Sequence, residues 1–137
     1  MISPAFSESP EVSDAALLLA RIGLSSAFLY SGVTKLLDRK AAEKEIQALG
    51  VPCPPVGWIA TVMVQILGAL MLLTGIGLEL GALMLAGFTA FATALGHPVW
   101  RLEGAPFKRA LTTSLEHLGL ISSLVLVASI GPGALSF

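Results

Sequence analysis

The run AALLLARIGLSSAFLYSGVTKLL, Ala15 to Leu37, is apolar nearly throughout yet contains an arginine, Arg21. An α-helix rises 1.5 Å per residue, so roughly 20 apolar residues cross the 30 Å hydrocarbon core of a bilayer. Three more runs reach or approach that length, and they place four spans at about 14–37, 56–78, 79–97 and 107–130. The third is the shortest, and the glycines of Gly75-Ile76-Gly77 predict a tight hairpin between it and the second.

A water-soluble four-helix bundle needs a polar face on every helix, whereas Ile59 to Leu73 offers only Thr61 and Gln65. With 55% hydrophobic and 12% charged residues, the chain reads as all-α, an integral membrane four-helix bundle. It divides into a polar N-terminal segment, 1–13, and a four-span domain, 14–137. The first run is longer than a signal-peptide core and lacks a basic leader, which predicts an uncleaved first span. Its partner is the lipid bilayer. A net charge of -1 without a phosphate-binding loop argues against nucleic acid.

One of the eight Lys and Arg residues is Arg21; the rest, Lys35, Arg39, Lys40, Lys44, Arg101, Lys108 and Arg109, flank the first and third loops. Positive charge in short loops marks the cytoplasmic side. Loops 38–55 and 98–106 are therefore expected in the cytoplasm, with both termini on the non-cytoplasmic side. Within the first loop, Asp38 to Gly50 reads as a short interfacial helix with Ile46 and Leu49 on one face, ended by VPCPP. Trp58 and Trp100 fit interfacial anchors and need no further role. Cys53, the only cysteine, excludes internal disulfide chemistry and is expected to be an ordinary thiol. There is no internal repeat.

Inside the spans, helical spacing puts Arg21, Ser25, Phe28, Gly32 and Lys35 on one stripe and Thr61, Gln65, Gly68, Leu72 and Gly75 on another. Ala82, Ala86, Ala90 and Ala94 suggest a small-residue packing seam leading to His97. Thr112, Glu116, Gly119 and Ser123 form a stripe in the fourth span, with His117 adjacent. Counting from the predicted boundaries puts Arg21 about 9 Å below the outer surface, and Gln65 and Glu116 about 13 Å above the inner one. Burying an unpaired ion costs several kcal/mol. These depths predict a buried ligand-binding cluster of Arg21, Gln65, Glu116 and His117, with Arg21 paired to Glu116. Lys35 and His97 are secondary candidates at the cytoplasmic side. Structural glue, or snorkelling of Arg21, competes evenly with a site, and a packing role for His117 outweighs a proton relay. A bis-histidine haem is disfavoured because His117 is expected about 15 Å above His97. No metal site and no catalytic residues are assigned, and enzymatic activity is left open.

ARIGLSSAFLYSGVTKLL resembles the first-span signature of DoxX-type membrane proteins: an arginine, a glycine about eleven residues on, then Lys-Leu. QILGALMLLTGIG is similar to that family's second span, GHPVWR to the segment after its third, and GPGALSF to its Gly-Pro-Gly terminus. The resemblance runs from Ala15 to Ser136 and matches Arg21, Gly32, Lys35, Gly68, His97 and Gly131 to Gly133. It implies a four-helix protein of the bacterial cytoplasmic (inner) membrane, in a family named after a small subunit of a thiosulfate–quinone oxidoreductase and linked to redox or quinone-dependent complexes. Where many members have a glutamate in the second span this chain has Gln65, and Ala134 replaces the usual arginine after the Gly-Pro-Gly. The function expected is a quinone- or redox-complex-associated membrane subunit beside a soluble oxidoreductase partner, with quinone as its ligand. The alternatives are a non-catalytic assembly or anchoring subunit and, less favoured, a small transporter. Homo-oligomerisation is left open.

Overall fold

The computed structural model describes the backbone of residues 10–131 and the side chains of residues 14–131. Five α-helices follow in order: α1 (Pro10–Leu37), α2 (Arg39–Ala48), α3 (Pro54–Thr74), α4 (Leu78–Gly96) and α5 (Gly104–Ile130), with a 3-10 turn at Val99–Arg101. All except α2 belong to segments long and apolar enough to cross a membrane: Asp14–Leu37, Pro54–Thr74, Leu78–Arg101 and Gly104–Ile130.

The hairpin between spans two and three is sharper than the run of hydrophobicity suggests. Gly75 (φ 85°) and Gly77 (φ 63°) both take left-handed backbone, which a residue with a Cβ resists. The Gly75 N–H closes α3 on the Met71 carbonyl at 3.0 Å. The second span therefore stops at Thr74, short of the predicted 78, although Ile76 and Leu78 continue the apolar run.

Each span packs on the next: α1 on α3, α3 on α4 and α4 on α5, while α1 and α5 meet only lightly. Close approach is bought with glycine. A Cβ on Gly68 would stand 2.7 Å from Leu85 Cγ, and one on Gly81 2.7 Å from Met71 Cβ. The apolar core, centred on Leu24, Leu72, Leu78, Leu85 and Leu124, fills the half of the bundle nearer the chain termini. In the other half α5 contributes little, and between Ala110 and Leu124 none of its side chains is fully buried.

The end of the bundle with the basic loops is finished by α2. Asp38 caps it by accepting from the Ala41 N–H at 3.2 Å, and its buried Ala42 and Ile46 face the bundle. Leu49, expected on the same face as Ile46, is exposed. Trp58 does more than anchor: its indole N–H donates to the Lys35 carbonyl at 2.8 Å, satisfying a C-terminal carbonyl of α1. The Arg39 guanidinium lies 4.5 Å from the centre of a Trp58 ring and 3.4 Å from a Glu43 carboxylate oxygen.

Candidate functional site

Arg21 is wholly buried, and backbone receives it. Its Nε donates to the Leu72 carbonyl at 2.8 Å and its Nη2 to the Leu73 carbonyl at 3.0 Å. Both carbonyls belong to the last turn of α3, where no following N–H is available within the helix, and that end carries the negative pole of the helix dipole. The guanidinium of one span thus caps the C-terminus of the next.

Glu116 is not its partner. The expected Arg21–Glu116 pair is absent because the Thr112, Glu116, Gly119 and Ser123 stripe faces outward, with all four residues exposed. The inward face of α5 is Ala110, His117, Leu124 and Val127, and one residue turns a helix by about 100°. The depth estimate also changes. Thr93, three residues before the end of α4, hydrogen-bonds His117, thirteen residues after the start of α5, with Oγ1 and Nδ1 2.7 Å apart. The first turns of α5 therefore project about 15 Å beyond the end of α4. Glu116 sits within about 5 Å of the level where α4 ends, not at mid-depth and not level with Gln65. Exposed on the outward face, the carboxylate is not enclosed by the bundle and needs no counter-ion inside it.

The same register shift overturns the expected separation of the histidines. The rings of His97 and His117 are in edge contact, with centroids 6.0 Å apart and planes at 76°. Among the described residues, no three His, Cys, Asp or Glu side chains come together as a metal-binding group. The alanine seam on α4 is half right: Ala82 and Ala86 are buried, but Ala90 and Ala94 are exposed. A strict four-residue repeat gains about 40° per step, so the inward face passes instead through Thr89 and Thr93.

Where α5 stands away from α1, a half-open cavity of about 550 Å³ lies between α1, α3, α4 and α5, with residues of α2 also on its wall. Its walls are mostly apolar, with Phe28, Val64, Phe88 and Leu120 among them, and three of the expected residues line it: Lys35, Gln65 and His117. Arg21, Glu116 and His97 do not. Lys35, half-buried in the last turn of α1, donates to Ser31 Oγ at 2.6 Å, leaving ammonium hydrogens to spare. Gln65 is only 5% exposed, and its Oε1 is enclosed without a partner. Its Nε2 is the amide atom left open. Thr89, at the wall, returns its hydroxyl to the Leu85 carbonyl at 2.8 Å.

Sequence reasoning missed Ser31, Thr89 and Thr93, although a spacing of 82, 86, 89 and 93 would have signalled the two threonines. It also missed α2 as part of the wall of a cavity. Residues Pro132 to Phe137, including Gly133 and Ala134, lie outside the described residues.

Four spans, a capped arginine and a cavity among them define a polytopic membrane protein with an intramembrane pocket. The DoxX family model matches residues 16–98, and the chain belongs to the DoxX family. It is 24% identical over 120 residues to the inner membrane protein YphA of Escherichia coli (strain K12), covering 88% of this chain and 86% of that protein. No solved structure matches it. This is a multi-pass protein of the bacterial inner membrane. His117 and Glu116 fall beyond the part of the chain that the family model matches.

Proposed function

We propose that this protein is the ligand-binding membrane subunit of a redox system, and that the cavity takes a small amphipathic molecule of the quinone class. The observation that carries this reading is the convergence of Lys35, Gln65 and His117 on one apolar-walled space of about 550 Å³. That volume is within the range of small-molecule sites, and a few polar groups in an apolar wall are what orient such ligands. Quinone carbonyls would accept from the Gln65 amide and the Lys35 ammonium. Arg21 does not line the cavity, and its Nε and Nη2 donate to the end of α3. A bound quinone would supply two-electron, two-proton chemistry to a partner oxidoreductase. Loops 38–55 and 98–106 face the cytoplasm in this reading, both termini lie on the other side, and a soluble partner would meet the basic face.

The test is titration of the protein, in nanodiscs of quinone-free lipid, with a decyl-tailed benzoquinone. Saturable binding is expected, and Ala92→Trp, which fills the cavity, should weaken it at least tenfold. Uptake indistinguishable from that of empty nanodiscs would defeat the reading.

A second reading, an assembly or anchoring subunit, is favoured by the outward stripe on α5. Glu116 and Ser123 are exposed there, and a Cβ on Gly119 would meet nothing within 4 Å, leaving room for another helix.

A further inference from the structure

The hydrogen bonds of Thr93 determine how His117 can meet a ligand. The Thr93 hydroxyl is 2.6 Å from the Thr89 carbonyl, to which it donates, and 2.7 Å from His117 Nδ1. A hydroxyl has one hydrogen, and a carbonyl can only accept. With that hydrogen committed to Thr89, the short contact to the ring is satisfied when His117 Nδ1 carries a proton and donates to Thr93 Oγ1. In the neutral ring the lone pair then resides on Nε2. Nε2 has no hydrogen-bond partner among the described residues, is not enclosed by protein, and belongs to a residue of the cavity wall.

The geometry points to His117 Nε2 as the acceptor for a ligand hydroxyl, held in that tautomer by Thr93 as a positioning residue. This rests on the reading of the cavity as a ligand site, and it names the form of ligand recognised: one bearing a free phenolic O–H, the reduced, quinol state. Of the other polar groups on the wall, Gln65 Nε2 and the Lys35 ammonium are donors and accept nothing, the Thr61 hydroxyl can do either, and the Glu45 carboxylate accepts from an exposed position on α2. His117 Nε2 is the ring-nitrogen acceptor that the spans add to them. A hydroxyl oxygen takes a hydrogen bond from the first pair and shares its own proton with the ring, whereas a methyl ether can only take.

The experiment uses the full chain in nanodiscs. Nitrogen-15 spectra of the histidine rings assign the tautomer, and titrations compare a decyl-tailed benzoquinol with its bis-methyl ether. The expected spectrum shows His117 protonated at Nδ1, and the quinol should bind about tenfold more tightly than the ether, the worth of one hydrogen bond. Thr93→Val and His117→Phe should abolish that preference, and Thr93→Ser should restore both preference and tautomer. An Nε2-protonated His117, or a preference unchanged in Thr93→Val, overturns the assignment. Equal binding of quinol and ether to the wild type overturns it while leaving the ligand site standing. If no probe binds saturably, the ligand-site reading itself has failed.

Discussion

Arg21 Nε donates to the Leu72 carbonyl at 2.8 Å, joining two spans through residues 51 apart in sequence. A charged side chain completing the end of a neighbouring helix explains how an arginine is tolerated in an otherwise apolar run. Its charge lies against the negative helix terminus, and its donors meet carbonyls that would otherwise be orphaned in hydrocarbon.

Replacing Arg21 should therefore be costly independently of Glu116. Arg21→Met is expected to lose about 2–4 kcal/mol, since hydrogen bonds to charged groups are worth more than neutral ones and the carbonyls are left buried. Glu116→Gln should change stability by less than about 0.5 kcal/mol. Equilibrium unfolding in mixed micelles checks both, and the double variant should show additive losses. A coupling above about 1 kcal/mol between the two positions would contradict the capping account.

Gly68 leaves room for the Leu85 side chain where α3 crosses α4. A methyl at that position meets three side-chain atoms of Leu85, which is itself fully buried and has nowhere to retreat. Gly68→Ala should cost about 1–3 kcal/mol, with part regained on adding Leu85→Val. Gly23→Ala and Gly119→Ala, which meet nothing within 4 Å, should be neutral in the same unfolding assay.

Trp58 ties the end of α1 to the start of α3. Trp58→Phe keeps an aromatic face for Arg39 but loses the donor to the Lys35 carbonyl, so a destabilisation of about 1 kcal/mol is expected. Amide hydrogen exchange should quicken in the last turn of α1 and leave the Gly75–Gly77 hairpin unchanged. Equal acceleration at both places would show that the effect is global.

Cys53, exposed in the loop between α2 and α3, offers a direct reading of orientation because the chain has no other cysteine. With the basic loops in the cytoplasm, a membrane-impermeant maleimide added to intact spheroplasts should leave the protein unlabelled, and lysis should expose it. Labelling before lysis would invert the proposed topology.

How much of this is legible in the sequence depends on which property each stripe encodes. In α1 and α3 the small and polar residues coincide with the inward face, so Arg21 to Lys35 and Thr61 to Gly75 are read correctly from spacing alone. In α5 they do not, because a residue near the headgroups can be polar while facing outward, and Glu116 is such a residue. The misplacement of His97 and His117 has a single cause: loop composition shows that a chain turns but not how far the next helix overshoots. The partners of Arg21 are illegible for a different reason, since backbone carbonyls are identical at every position and leave no mark in a pattern of side chains. Helix ends set by glycine, as at Gly75, are readable to within a few residues.

With the leucines concentrated near the termini and α1 and α5 meeting only lightly, the bundle is built like a pair of tongs. Its pivot is the leucine core, and its jaws are α1 on one side and α5, tied to α4 through His117, on the other. The gap between the jaws faces the surrounding acyl chains, so a lipid tail is the natural neighbour of whatever occupies it.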